Sequence, residues 1–423
     1  MSSQYWVETL GCPKNQVDSD KLEGTLAADG FTRARTAEDA DLVVVNTCAF
    51  IESARRESID TIMGLSDAKK DGARIVVTGC MAERYGSELA DALPEADLVA
   101  GFGVPVTLKR KADQGHIPHL DLLNLPRPKS AAPWAYVKVA EGCDRTCGFC
   151  AIPSFRGPQR SRTPESIVGE VDALGAQEIV LVAQDLASYG KDRKDLGAGS
   201  IVPLIEAVAA RVPRVRLLYL YPSDLTDALV GAIAATGLHY FDLSLQHVSK
   251  PHLRRMRRWG DGERFLRRID DIRRVMPDAA FRSNFIVGYP GETEADHDEL
   301  LAFVEAAQLD WCGFFSYSKE DGTYAADLPD QIAPELMAER LAELSALQDS
   351  ITFSRRVALV GTTANVLADA PGVARSHREA PEIDGVISVP SDLAVGSFVD
   401  VMITGAAGPD LEASPVAALS VAG

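Results

Sequence analysis

Three cysteines crowd into the run Glu141 Gly142 Cys143 Asp144 Arg145 Thr146 Cys147 Gly148 Phe149 Cys150, a CxxxCxxC placed directly after a strand-like segment. This spacing constrains the fold more than any other feature, because one short loop must present three thiolates together. A 4Fe-4S cluster has four irons, so three cysteines hold three corners and leave one iron open to a small molecule. Zinc sites pair CxxC with a second pair or with histidines further along, and none follows here. Three unligated thiols this close would oxidise or bind metal.

A second set is dispersed. Up to about residue 120 the chain alternates short apolar runs (5–10, 42–46, 75–78 and 98–100) with helical patterns, which predicts βαβ units and a parallel sheet. Cys12, Cys48 and Cys80 each follow one of the first three runs. They therefore fall at the carboxyl edge of the sheet, where open α/β sheets place their ligands. Topologically equivalent cysteines converge, as a second three-thiolate site requires, although small buried hydrophobes would also fit those positions. Gly11, Asn15, Asn46 and Gly79 surround them with tight turns and polar groups.

Beyond residue 134 strand and helix patterns alternate again, with candidate strands at 135–139, 178–182, 215–219, 240–245, 281–287 and 313–317. Six βα units predict a partial (βα)6 barrel with its chemistry at the strand carboxyl ends. Gln184, Asp185, Ser223, Gln246, His247 and Arg282 are the polar groups at those ends. Thr163 Pro164 Glu165 reads as a helix start. Leu336, Met337, Leu341, Leu344, Leu347 and Ile351 recur at helical spacing over 334–356. Residues 357–423, rich in Val, Ala and Gly, suit a small β-barrel. The α/β chain thus divides into an N-terminal parallel-sheet domain (1–122), a linker (123–133), the barrel (134–356) and the C-terminal barrel (357–423). The connector composition begins at about 111, and its His116 and His119 read as ordinary linker residues; Cys312, alone beside Trp311, reads as packing.

The 423 residues are 46% apolar, enough for several filled cores. No stretch approaches the ~20 apolar residues of a membrane span, and the first residues lack a signal-peptide pattern. Seven cysteines, an odd number, suit metal chemistry in a reducing compartment, and the expectation is a cytoplasmic protein with no membrane partner. A net charge of minus 18 argues against broad electrostatic binding of nucleic acid. Two local basic groups stand out: Arg156, Arg160 and Arg162, and Arg254, Arg255, Arg257 and Arg258. They read by default as solvated helix faces, and more sharply as contacts to ribosomal RNA or an acidic substrate.

The CxxxCxxC, with an aromatic before its last cysteine, resembles the signature of the radical S-adenosylmethionine enzymes. The resemblance implies that the open iron chelates the amino and carboxylate groups of S-adenosylmethionine, and that one electron cleaves it to a 5′-deoxyadenosyl radical. Taken with Thr9 Leu10 Gly11 Cys12 Pro13 Lys14 Asn15, Asn46 Thr47 Cys48 Ala49 and Thr78 Gly79 Cys80 Met81, it extends to the methylthiotransferases over essentially the whole chain. That family implies an auxiliary 4Fe-4S cluster on Cys12, Cys48 and Cys80 that carries the methylthio group, hence two clusters and S-adenosylmethionine as cofactors. It also implies an electron donor such as flavodoxin or ferredoxin, and a C-terminal TRAM domain. Asn284 Phe285 Ile286 Val287 Gly288 Tyr289 Pro290 Gly291 Glu292 Thr293 resembles the family's cofactor-contacting turn. Gly288, Pro290, Gly291 and Glu292 thereby join Gln184, Gln246 and Arg282 as candidate cofactor-binding residues. No catalytic residue is assigned.

From Val357 onward two arginines stand against eight acidic residues, a balance of minus six that suits a cationic protein partner better than a phosphate backbone. Glu382 and Asp384 are the acids expected to attract it. Ala380 Pro381 Glu382 Ile383 Asp384 Gly385 and Tyr317 Ser318 Lys319 Glu320 Asp321 Gly322 Thr323 resemble the RimO-type branch, which modifies the twelfth protein of the small ribosomal subunit. The transfer-RNA branch tends to carry Arg-Pro where Glu320 and Asp321 stand. The function this implies is methylthiolation of the β-carbon of an aspartate in that ribosomal protein. The alternatives are a methylthiotransferase for a hypermodified adenosine in transfer RNA and, from another class, a non-enzymatic metal or thiol scaffold.

Overall fold

The computed structural model describes residues 3–102, 104, 106, 121–197 and 199–416; His116 and His119 lie outside them. The N-terminal unit is built from β1 (Gln4–Thr9), α1 (Pro13–Ala28), β2 (Thr32–Arg33), β3 (Leu42–Thr47), α2 (Glu52–Ala68), β4 (Arg74–Gly79), α3 (Cys80–Ala92) and β5 (Leu98–Val99). All five strands run parallel in the order β2-β1-β3-β4-β5. The middle strand β3 reads Leu-Val-Val-Val-Asn-Thr and is buried throughout, as a strand covered on both faces must be. Pro13 starts α1 with no loss of a helical hydrogen bond. The buried face of α1 is mostly polar (Lys14, Asn15, Asp18, Ser19 and Lys21 beside Val17, Leu22 and Leu26), because it packs on the second unit as well as on its own sheet.

That second unit comprises β6 (Trp134–Lys138), β7 (Ala140–Glu141), α4 (Ile152–Arg156), β8 (Arg160–Ser161), α5 (Pro164–Leu174), β9 (Glu178–Val182), α6 (Ile201–Ala209), β10 (Arg214–Leu217), α7 (Asp227–Ala235), β11 (Tyr240–Gln246), α8 (Lys250–Arg255), α9 (Gly262–Val275), β12 (Ala280–Val287), α10 (Glu294–Ala307), β13 (Trp311–Ser316) and α11 (Pro334–Val357). The six expected barrel strands are present. They form two parallel three-stranded ladders, β6-β9-β10 and β11-β12-β13, rather than one continuous ladder. Among the described residues the two halves pair only through the Leu220 to Leu243 bridge. The strand expected over 215–219 stops at Leu217 because Tyr219 takes φ +65°, which ends regular pairing. The long helix α11 is present, yet its buried face carries Arg340, Gln348, Thr352 and Arg356 as well as Leu344 and Ile351.

The third unit is a closed barrel of β14 (Thr363–Ala370), β15 (Val373–Arg375), β16 (Ile387–Ser388), β17 (Phe398–Ala407) and β18 (Asp410–Pro415), ordered β14-β15-β16-β18-β17. Val366, Ala374, Ile387, Val401, Ile403 and Leu411 fill it. This small barrel plugs the amino-terminal end of the large one. Glu178, fully buried at the start of β9, pairs with Arg216 at 2.8 Å and with Arg375 at 3.2 Å, and Arg375 also grips Asp369. Arg216 and Arg375 together hold the Glu178 carboxyl down at about 2 against the upward push of burial. Around this pair Tyr136 donates to Pro381 O, and Trp311 Nε1 to Arg378 O.

Two sequence expectations fail here for the same reason. Asp384 is not a surface acid: its carboxylate accepts from Tyr240 and the Ala380 N–H and pairs with Arg282 at 3.3 Å. Glu382 alone of the pair is exposed. The basic group after the CxxxCxxC is likewise internal, since Arg156 and Arg162 are buried and only Arg160 reaches solvent. The surface charge of this protein differs from its sequence charge because so many ions are buried in pairs.

Candidate active site

Cys12, Cys48 and Cys80 follow β1, β3 and β4 and meet above the sheet edge. Gly11 makes the approach possible: at its φ of +96° a Cβ would stand 2.9 Å from the Cys48 Cβ. Burial pushes the Cys48 thiol up to about 12 and raises Cys80 as well, with the neighbouring cysteines adding to both. Cys12 differs: burial pushes it up, but Lys14 and Arg156 together outweigh that and lower it. Iron binding here must displace protons. The Cys143, Cys147 and Cys150 loop faces this set; burial lifts Cys143 to about 11 and Cys150 to about 12.

The donor sets fit clusters better than single ions. Among the described residues one group of three donors closes to within 4.8 Å, and it is His247, His252 and Glu292 rather than either cysteine set. Thiolates on separate irons stand further apart than ligands of one ion, so the wide spacing suits iron-sulfur chemistry. The histidine group is a poor cation site: Arg340 already pairs with Glu292 at 2.9 Å, and the other Glu292 oxygen accepts the Gly288 N–H.

One side chain joins the two cysteine sets. Arg156, on α4 just past Cys150, donates to Cys80 Sγ at 2.9 Å and to Asn15 Oδ1 and Glu141 Oε1 at 2.8 Å. Glu141 precedes the CxxxCxxC and is shared with Lys138, which also grips Asp18 of α1. Two further arginines organise the loop that carries Cys143, Cys147 and Cys150. Arg145 pairs with Asp185 at 2.6 Å and with Asp224, its guanidinium 3.8 Å from the centre of the Tyr221 ring. Arg258 covers the same ring at 4.0 Å and reaches Cys147 Sγ at 3.4 Å. Arg156 and Arg258 fell in groups that read by default as solvated faces; partners distant in sequence leave no local signal.

The candidate cofactor residues separate into two groups. At the strand ends, Gln184 donates to Glu141 at 2.8 Å, leaving its Oε1 buried without a partner, as are Asp185 Oδ1 and Asn284 Oδ1. These acceptors suit N–H donors of a bound ligand. Gln246 ends β11 with φ +71°. Ser223 lies in the Pro222–Asp224 turn after β10, and His247 is fully buried. In the turn after β12, by contrast, the side chains and several backbone groups are engaged internally. Glu292 holds Gly288 and Arg340, the Pro290 carbonyl accepts from Arg255 at 3.1 Å, and a Cβ on Gly291 would strike the same Arg255. Arg282 is committed to Asp242 and Asp384. Cys312 is half-buried, packed against the barrel core.

The domain order has counterparts among known proteins. Residues 4–101 match the uncharacterized protein family UPF0004, 137–304 the radical SAM superfamily and 360–416 the TRAM domain. The ribosomal protein uS12 methylthiotransferase RimO of Saccharopolyspora erythraea is 41% identical, over 97% of this chain and 94% of that one. Those of Streptomyces coelicolor and Chloroflexus aurantiacus are 40% and 38% identical, each over 96% of this chain and over 96% and 98% of theirs.

The chain belongs to the RimO family. It is an enzyme, a radical SAM methylthiotransferase, and a 4Fe-4S cluster with S-adenosylmethionine belongs to that chemistry. Among solved structures, the radical S-adenosylmethionine methyltransferase TsrM of Kitasatospora setae, with cobalamin and a 4Fe-4S cluster bound, aligns with a TM-score of 0.50 at 14% identity. That alignment covers 94% of this chain and 84% of that one, a likeness of fold. Among the described residues of this RimO-family chain no helix is long and apolar enough to cross a membrane.

Proposed function

We propose that this enzyme methylthiolates the β-carbon of an aspartate in ribosomal protein uS12. Cys143, Cys147 and Cys150 would hold the radical 4Fe-4S cluster, and Cys12, Cys48 and Cys80 an auxiliary one. The Arg156 bridge between the two cysteine sets carries this reading, because a group generated at one site can reach the other only if the two are held in fixed register. When bound, the radical cluster with S-adenosylmethionine supplies a hydrogen-abstracting radical, and the auxiliary cluster supplies the methylthio group. The protein's part is positioning. Arg145 and Arg258 brace the radical loop, Gln184 and Asn284 offer acceptors to the bound cofactor, and Glu320 ties the N-terminal domain to the barrel mouth.

A protein target rather than transfer RNA draws support from Glu320. Its carboxylate is buried between Arg55 at 2.6 Å and Arg84 at 2.7 Å, so the arginine expected in the transfer-RNA branch would meet two like charges. The TRAM barrel adds to this: Arg375 is buried in ion pairs, and Arg378 faces Asp310 at 3.6 Å, so neither serves as a free phosphate contact. An electron donor such as flavodoxin or ferredoxin completes the chemistry.

Intact-mass measurement of uS12 from cells with and without the gene tests the reading. A mass difference equal to one methylthio group on an aspartate is expected. An unchanged uS12 with altered transfer RNA would overturn it. Anaerobically purified protein should hold about eight irons, falling to about half when Cys143, Cys147 and Cys150 are all changed to Ala; retention of all the iron would refute the two-cluster assignment.

A further inference from the structure

Among the described residues Lys14 is a buried cation of the cleft with neither a carboxylate nor a hydrogen-bond acceptor; Arg258, which also lacks a carboxylate, donates to Ser244 O and Cys147 Sγ. Lys14 is the second residue of α1, two positions after Cys12, and its side chain is nine-tenths buried between the N-terminal domain and the barrel. Its Nζ lies 3.4 Å from the centre of the Tyr219 ring, at the carboxyl end of β10. Among the described residues no acidic oxygen comes within 4.0 Å of that nitrogen, and no hydrogen-bond acceptor is in reach. The other cations around it are committed: Lys138 to Asp18 and Glu141, Arg156 to Glu141, Arg145 to Asp185, Arg282 to Asp242, and Arg84 to Glu320.

An ammonium has three donors and no acceptor, and burying it without an anion is costly. An aromatic face offsets part of that cost and leaves the donors directed away from the ring free. Lys14 therefore presents free N–H donors beside the cysteine set proposed to deliver the methylthio group. We infer that Lys14 binds the side-chain carboxylate of the substrate residue. The inference rests on the aspartate reading above: the carboxylate is bonded directly to the β-carbon, so fixing the one places the other within a bond length. A buried ammonium with free donors selects an acidic side chain over its amide.

The test uses the full-length enzyme reconstituted with iron and sulfide, and two probes: uS12, and uS12 with its target aspartate replaced by asparagine. Wild-type enzyme should bind the aspartate form roughly ten- to hundredfold more tightly, as a charge-assisted contact provides. Lys14→Met should bind both forms equally, at the weaker affinity, while Lys14→Arg keeps part of the preference. Binding is expressed per assembled cluster, because Lys14→Met removes a charge beside Cys12; iron and sulfide content and S-adenosylmethionine affinity should match wild type in Lys14→Arg. The inference is overturned if Lys14→Met keeps the full preference, or if wild type has none. It is also overturned if the variant loses only iron or S-adenosylmethionine affinity, since Lys14 would then serve the cluster or the cofactor. Failure of wild-type enzyme to methylthiolate uS12 at all would instead strike the function proposed above.

Discussion

Arg156 donates to the Cys80 sulfur across 2.9 Å, so a side chain from the helix just past the CxxxCxxC ends on a cysteine of the N-terminal domain. Residues 76 apart in sequence thus share one hydrogen bond between two domains. The same guanidinium contacts Asn15 and Glu141, and lies 3.6 Å from Asp18. Its planar fork, which lysine lacks, is what lets it meet all of them.

Arg156→Met should therefore uncouple the two cysteine sets. Iron of the cluster proposed on Cys12, Cys48 and Cys80 should fall while that of the cluster proposed on Cys143, Cys147 and Cys150 is kept, read as iron per chain and by electron paramagnetic resonance. Leaving Glu141 and Asp18 short of a cation should also cost about 3–5 kcal/mol of stability. Arg156→Lys should recover charge but not the bridge, and an unaltered iron content in both variants would refute the coupling.

Glu320 clamps the N-terminal domain to the barrel mouth. Glu320→Arg should open that clamp, exposing the interface to limited proteolysis and lowering methylthiolation of uS12, because three cations would then face one another. Combining it with Arg55→Glu and Arg84→Glu should restore part of the protection. Equal proteolysis of wild type and Glu320→Arg would show that closure does not depend on these charges.

At the other end of the barrel, Glu178→Gln should cost about 3–5 kcal/mol by leaving Arg216 and Arg375 without their shared anion. The Glu178 carboxyl is held at about 2, below its unfolded value. Its contribution is accordingly present above the ordinary carboxylate range and is lost as pH falls toward 2. Acid unfolding curves of wild type and variant should converge at low pH; curves that stay parallel would refute the linkage.

Asp384 carries the opposite sign. Burial lifts its carboxyl to about 6 despite the pull of Arg282, so its ionised form is disfavoured in the folded state. The stability it contributes is complete below the unfolded carboxylate range and declines as pH rises from about 4 through 6. Asp384→Asn should remove that decline from the melting temperature across this window, whereas Glu382→Lys, on the exposed neighbour, should shift stability by about 0.5 kcal/mol or less. A decline of equal size in Asp384→Asn and wild type would contradict the burial. The pair cannot be reversed together as a docking test, since a lysine at 384 would face Arg282 inside the protein.

Much of the molecule was legible in its one-dimensional pattern. The six cysteines were found by spacing and by their place after apolar runs, because a parallel sheet converts sequence period into a common edge. The strand run 178–182 coincides with β9, and the other barrel strands were found to within two residues or so, since buried parallel strands are written as continuous apolar runs. Legibility ended wherever a residue's partner lay in another domain.

The sequence by itself determined where the cysteines fall, the three-domain order and the approximate strands, because each rests on local spacing and propensity. The tertiary structure alone decided which charges are active. Arg156, Asp384 and Glu320 look like surface residues in the chain and are buried ions in the fold, and Lys14 looks like any lysine until its neighbours prove to be paired elsewhere. Whether an ion is solvated, paired or spare depends on distances between segments far apart in sequence, and those distances exist only once the domains have closed on one another.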